Sequence, residues 1–163
     1  MPKAYLLAID QGTTGSRAIL YDTKGAVKAS AYQEFQQYYP KPGWVEHDPL
    51  EILDSVKKVI HRAIAQVRGS GKQIRAIGIT NQRETTLLWD RNSGAPMGRA
   101  IVWQVRMTNS LGQMLKQGGA ENTLRKKTGL FLDPYFSGTK LMWCFDAHRS
   151  LRRKAQSGSV CFG

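Results

Sequence analysis

Apolar and polar positions in the first ninety residues switch between a period of two and a period near 3.6. Residues 4–9 form a short apolar run, stopped by Asp10 and the turn-rich Gln11-Gly12-Thr13-Thr14-Gly15-Ser16. A second run covers residues 17–21 and ends in Asp22-Thr23-Lys24-Gly25, a good hairpin turn; a third extended stretch runs from 26 to 35. Three strands joined by tight turns predict an antiparallel meander. Pro40, Pro42 and Gly43 mark a loop. Asp48-Pro49 then reads as a helix start, with Asp capping free amides and Pro where no amide hydrogen is needed. Ile52, Leu53, Val56, Val59, Ile60, Ala63, Ile64 and Val67 recur at helical spacing and predict a helix to about residue 68, ended by Gly69-Ser70-Gly71.

Further strands are predicted over 74–79, 85–89 (closing at Arg91-Asn92-Ser93-Gly94) and 100–103. From Thr108 the pattern turns helical, with breaks at Gly118-Gly119, at Thr128-Gly129 and around Pro134, and 159–162 reads as the opening of a strand. The order strand–strand–strand–helix–strand is an α/β signature and matches the ribonuclease H-like core shared by actin, hexokinase and sugar kinases. No internal repeat is evident.

Composition narrows the class. The 163 residues are 41% hydrophobic and 22% charged, as in ordinary globular domains. No apolar run approaches the roughly 18 residues that span a bilayer, and the short apolar start lacks the core and cleavage site of a signal peptide. Cys144 and Cys161 are too few for a disulfide framework, so a reducing cytoplasmic home is expected. The net charge of +12 sits mostly in the second half: residues 1–90 hold twelve Lys and Arg against nine Asp and Glu, residues 91–163 twelve against three. Arg125-Lys126-Lys127 and Arg149, Arg152, Arg153 and Lys154 carry much of it. Without aromatic interleaving these read as solvated helix faces rather than a nucleic-acid surface, and a non-catalytic protein binding a partner through this half is the rival functional class.

Several segments carry candidate chemistry. In the turn from Asp10 to Arg17, Gly12 and Gly15 would let backbone approach an anion, the Thr13, Thr14 and Ser16 hydroxyls would add hydrogen bonds, and Asp10 is a reasonable carboxylate for Mg²⁺. Taken alone, the segment is equally a polar hairpin turn. Adjacent Arg83 and Glu84 offer a donor fork and an acceptor to a small polyol, or else form a surface ion pair. Trp103 is either an apolar wall for ligand carbons or core. Tyr135 offers a hydroxyl from a loop that opens a helix. His47, His61 and His148 lack metal-ligand spacing.

Together, the segments 10–17, 42–49, 78–86, 100–104 and 128–140 resemble glycerol kinases, in that family's order and spacing and over essentially the whole chain. The resemblance implies the first lobe of a two-lobed, actin-like sugar kinase, incomplete here, with 1–163 as its amino-terminal part. It implies transfer of the ATP γ-phosphate to a terminal hydroxyl of glycerol. Asp10 would be the magnesium-associated carboxylate; Thr13, Thr14 and Arg17 the nucleotide-phosphate contacts; Arg83, Glu84 and Tyr135 the hydroxyl contacts; Trp103 the residue packed on the carbon chain. The general base and most of the adenosine pocket would lie beyond residue 163, so the isolated chain is expected to be inactive, and the full-length kinase a homo-oligomer. A related kinase with another polyol is the nearest alternative. Two positions depart from the family: Met107 stands where a second Arg is common, and Gly15 where Ser or Thr is common, a change expected to be tolerated in a turn. A chain cut here is also expected to leave Leu111, Leu115, Leu141, Trp143 and Phe145 uncovered, with the first 90 residues the better-ordered half.

Overall fold

The computed structural model describes residues 4–67 and 71–163, so most of the expected break at Gly69-Ser70-Gly71 lies outside the described residues. The chain divides into two compact units, residues 1–37 with 48–82, and residues 38–47 with 83–163.

The first unit is built on the expected meander. Strands β1 (Tyr5–Gln11), β2 (Gly15–Asp22) and β3 (Val27–Glu34) pair antiparallel. Asp22 closes the second turn, its Oδ1 accepting the Lys24 and Ala26 amides at 2.9 Å each. Helix α1 (Pro49–Gln66) follows, capped by Asp48, whose Oδ1 accepts the Leu50 amide at 2.8 Å. Its buried stripe is Ser55, Val59 and Ala63, flanked by half-buried Val56, Ile60, Ile64 and Val67. Leu53, expected on the apolar stripe, is instead 49% exposed. Ser55 takes the core-facing place instead, because its hydroxyl bonds Ser16 of β2 at 2.8 Å and the Ile52 carbonyl at 2.7 Å. Alternate residues Tyr5, Leu7, Ile9, Ala18, Leu20, Ala29 and Ala31 complete the core.

After a 3-10 turn at Gly71–Gln73, β6 (Ile74–Thr80) returns parallel to β1 and gives the order β3-β2-β1-β6; β4 (Gln37–Tyr38) and β5 (Glu46–His47), earlier in the chain, pair in a separate sheet. A helix between a meander and a parallel strand is what the alternation of periods dictates. Helix α1 packs chiefly over β2 and β3, so Ile77 and Ile79 of the edge strand stay 58% and 72% exposed.

The second unit holds two small sheets and four helices. Strands β4 (Gln37–Tyr38), β5 (Glu46–His47) and β8 (Ala100–Ile101) form one sheet; β7 (Leu88–Asp90) and β9 (Val160–Phe162) form another, antiparallel. The expected 85–89 strand is shorter, but Thr86 bridges Ile101 through two 2.8 Å backbone bonds. The expected 100–103 strand stops at Ile101, because residues 103–104 turn.

Helices α2 (Asn109–Gln117), α3 (Ala120–Thr128), α4 (Ser137–Ala147) and α5 (Arg149–Gln156) follow, with Gly119 and Gly129 in the left-handed region at the expected breaks. Leu141, Trp143 and Phe145 are not left uncovered: they pack on a second core of Leu88, Ile101, Val105, Cys144 and Leu151. The exposed large apolar side chains of this unit are instead Tyr39, Met114, Leu130, Phe131, Met142 and Phe162. Met107 packs on the same core, which gives an apolar residue there a structural reason. No helix among the described residues is long and apolar enough to cross a membrane.

Candidate functional site

The turn between β1 and β2 is three residues long, Gly12-Thr13-Thr14, because both strands run further into the segment than its polar composition suggests. Gly12 donates its amide to the Gly15 carbonyl at 2.9 Å, so that amide closes the turn and does not face an anion. The turn is fastened from outside by Gln37, whose Nε2 donates to the Thr13 carbonyl at 3.0 Å, and by the Phe35 amide on the Thr14 carbonyl at 3.5 Å. Gln82 donates to Gln11 at 3.3 Å and Gln11 to the Gly12 carbonyl at 2.8 Å, linking the end of β6 to the same turn. Ser16 is fully buried against α1 through Ser55, so it leaves the set of anion-binding hydroxyls.

Asp10 lies opposite Arg17 on β2 and Thr80 on β6, at the carboxyl end of a central strand. It is exposed and makes no ion pair among the described residues. Those residues hold no group of three or more His, Cys, Asp and Glu able to cage a metal. A single open carboxylate suits Mg²⁺, which keeps several waters and takes one or two carboxylates together with phosphate oxygens.

Thr14 and Arg17 are tied to β3 by one residue that the sequence did not single out. The Tyr32 hydroxyl lies 3.3 Å from Thr14 Oγ1, and the Arg17 guanidinium sits 5.3 Å from the Tyr32 ring centroid. Gly15 makes this possible: a Cβ there would come within 2.6 Å of both the Tyr32 hydroxyl and the Gln33 carbonyl. Gly15 thus makes room for a neighbouring strand rather than for an anion. Gly15→Ala is expected to cost about 1–3 kcal/mol, as overpacking does. Tyr32→Ala should return only part of that, because the Gln33 carbonyl remains. A denaturant double-mutant cycle reads the coupling; additive effects would mean Tyr32 does not occupy the space.

In the second unit, the residues predicted to meet a polyol lie on three loops. Trp103 and Tyr135 meet edge to face with ring centroids 6.1 Å apart, and both are half-exposed. With Gln104, Val105, Arg106 and Asp133 they line an open cleft of about 420 Å³. Trp103 is therefore a cleft wall and not core. The Tyr135 backbone is turned by Asp133, which accepts its amide at 2.8 Å.

Glu84 takes φ +63°, a left-handed conformation that costs a non-glycine residue about 1–3 kcal/mol and must be held in place. Its carboxylate Oε2 accepts both the amide and the hydroxyl of Ser137 at 2.8 Å, which caps the first turn of α4 from a distant loop. Oε1 faces no hydrogen-bond donor among the described residues. Arg83 is exposed and forms no ion pair with Glu84, so the surface-pair alternative fails: the neighbours point to different tasks. The structure brings Glu84, Tyr135 and Trp103 onto adjoining loops of one unit and leaves Arg83 in the same turn without a partner among the described residues.

Sequence reasoning missed Ser137 and Lys140. The Lys140 side chain is fully buried and its ammonium donates to the Glu84 carbonyl and, at 2.7 Å, to the Tyr135 carbonyl. Burial pushes it down to about 8 while the Glu84 carboxylate acts in the opposite direction. The two basic clusters of the second half lie on exposed faces, Arg125, Lys126 and Lys127 at the end of α3 and Arg149, Arg152, Arg153 and Lys154 along α5, around a single buried Leu151. That is the arrangement of solvated helix faces.

Residues 5–162 match the N-terminal domain of the FGGY family of carbohydrate kinases, and the chain belongs to that family. Glycerol kinase of Oceanobacillus iheyensis is 52% identical over 163 residues, all of this chain and 33% of the relative, and that of Petrotoga mobilis is 54% identical over 159 residues, 98% of this chain and 32% of the relative. Among solved structures, Plasmodium falciparum glycerol kinase with ADP superposes with a TM-score of 0.91 at 31% identity, over 99% of this chain and 32% of that one. Gluconate kinase of Lactobacillus acidophilus follows the same fold with a TM-score of 0.79 at 27% identity, over 86% of this chain and 28% of that one. The chain thus spans about a third of the length of the relatives it matches. The expected α/β, ribonuclease H-like first-lobe fold is the fold of this family.

Proposed function

We propose that the chain is the amino-terminal part of a glycerol kinase that transfers the γ-phosphate of ATP to a terminal hydroxyl of glycerol, with Mg²⁺. The observation that carries this reading is the composition of the second unit's cleft, in a chain more than half identical to glycerol kinases along its whole length. Two aromatic faces meeting at an edge suit a three-carbon chain. The Tyr135 hydroxyl lies in the cleft lining, while the Glu84 carboxylate and the Arg83 guanidinium, which has no partner among the described residues, stand on the adjoining loop outside that lining and would add an acceptor and a donor fork. A neutral polyol calls for this mixture.

In the first unit, Thr13, Thr14 and Arg17 would hold nucleotide phosphate and Asp10 the magnesium, directly or through water. The metal, when bound, neutralises charge on the phosphates. The chain's own part is to bind and orient: Tyr32 fixes the direction of Arg17, and the closed Gly12–Gly15 turn fixes the height of Thr14. We assign the protein to the cytoplasm on the same reading.

The test is a chimera in which residues 1–163 replace the matching third of the Oceanobacillus iheyensis enzyme. Coupled ADP release is measured with glycerol, xylulose and gluconate. Glycerol should be preferred in kcat/KM by at least about a hundredfold, as expected for a site built on paired hydroxyl contacts. Preference for either sugar substrate would overturn the reading.

A further inference from the structure

We propose that Lys140 is a positioning residue of the polyol site, clamping together the Glu84 and Tyr135 loops through their backbone carbonyls. The inference rests on the glycerol reading above and goes one step past it, to a side chain that itself faces no substrate.

A lysine with no accessible surface is rare, because an ammonium out of water is costly unless paired. Lys140 is not paired in the usual way. Among the described residues it forms no ion pair, and the Oε2 oxygen of its nearest carboxylate, Glu84, is taken by the Ser137 amide and hydroxyl. It spends two of its three donors on carbonyl oxygens from two loops, 56 and 5 residues away in sequence. Simple filling of the space would be served as well by methionine or leucine, without the desolvation cost. What an aliphatic residue cannot do is hold two carbonyl oxygens at a set separation.

The two loops need this. Glu84 occupies a strained backbone conformation, and its carbonyl is otherwise met by the Thr86 hydroxyl, at a long 3.4 Å. Tyr135 sits before α4, whose first turn has no side-chain cap of its own at Phe136. Thr139, next to Lys140, bonds Thr108 at 3.2 Å and so steadies the same helical turn against the segment that follows Trp103. One turn of α4 therefore reaches all three loops: Ser137 holds the Glu84 carboxylate, Lys140 the Glu84 and Tyr135 backbones, and Thr139 the start of α2. Burial lowers the ammonium to about 8, which leaves it protonated and donating at neutral pH.

The experiment uses the chimera, with Lys140→Met and Lys140→Gln compared against the unsubstituted protein. The glutamine amide keeps two N–H donors on a stem one atom shorter. For Lys140→Met, the KM for glycerol should rise about tenfold, as removal of charge-assisted bonds predicts, while the KM for ATP stays within about twofold; Lys140→Gln should recover part of the glycerol KM. Equal changes in both KM values, or an unchanged glycerol KM in folded variants, would overturn the proposal, and so would failure of both variants to fold, since the lysine would then serve stability alone. An unsubstituted chimera inactive on glycerol would instead remove the glycerol reading, and this inference with it.

Discussion

Asp10→Asn in the chimera should lower kcat by roughly 10²–10³-fold while leaving the glycerol KM nearly unchanged. Asp10 is the exposed carboxylate at the end of β1, flanked by Arg17 and Thr80 on the neighbouring strands, and it makes no ion pair among the described residues. Its substitution therefore leaves the packing of the fold undisturbed, and stability should move by no more than about 0.5 kcal/mol, as for other surface changes. If it holds Mg²⁺ against the phosphates, removing its charge weakens neutralisation of the transferring group, an effect worth several kcal/mol. About 3–4 kcal/mol of that gives the stated range at 1.36 kcal/mol per tenfold. Raising the Mg²⁺ concentration should restore part of the rate. A kcat within threefold of the parent at all Mg²⁺ concentrations would return Asp10 to the role of a turn residue.

Arg83→Ala should raise the glycerol KM about 30–150-fold, with a small effect on the ATP KM. That range corresponds to about 2–3 kcal/mol, the worth of a charge-assisted hydrogen bond to a bound hydroxyl. Arg83 differs from Glu84 in that it holds no protein group, whereas the Glu84 carboxylate also anchors the first turn of α4 through Ser137. Arg83→Ala should thus leave thermal stability unchanged, while Glu84→Ala should lose both glycerol affinity and stability. An unchanged glycerol KM in Arg83→Ala would leave the guanidinium as surface charge only.

The parts of this fold that were legible in the sequence are those set by local periodicity. The meander, its hairpin at Asp22, the Asp48 cap of α1 and the glycine breaks between α2, α3 and α4 all follow from residues within a few positions of one another. What was missed depends on partners far away in sequence. Ser55 reads as polar on an apolar face until Ser16, 39 residues earlier, is seen to bond it. Lys140 draws no notice in the sequence, because nothing local shows that the Glu84 carbonyl, 56 residues away, accepts one of its protons. Gly15 reads as freedom in a turn, whereas the limit is set by Tyr32 and Gln33 on the next strand. The two-residue strand Glu46–His47 is too short to show a period, and the break between α4 and α5 at His148 carries no glycine or proline. The expectation of bare helices after Thr108 failed for Trp143 for a related reason: its cover is Trp44, whose ring meets it edge to face at 5.1 Å from a loop nearly a hundred residues earlier.

The candidate site was legible in a different way. Single segments left function and ordinary structure in balance; their joint order carried the family. The geometry adds the division of labour, with Glu84 fixed by α4, Arg83 open, and Trp103 turned edge to face against Tyr135.

The central claim is that glycerol binds against Trp103. Fluorine NMR of the chimera labelled with 5-fluorotryptophan tests it, the Trp103 resonance being the one that disappears in Trp103→Phe. On titration with glycerol, that resonance should shift saturably, with a midpoint matching the glycerol KM, while the resonances of Trp44 and Trp143 shift less. A Trp103 resonance that stays in place at glycerol concentrations supporting full turnover would contradict the account.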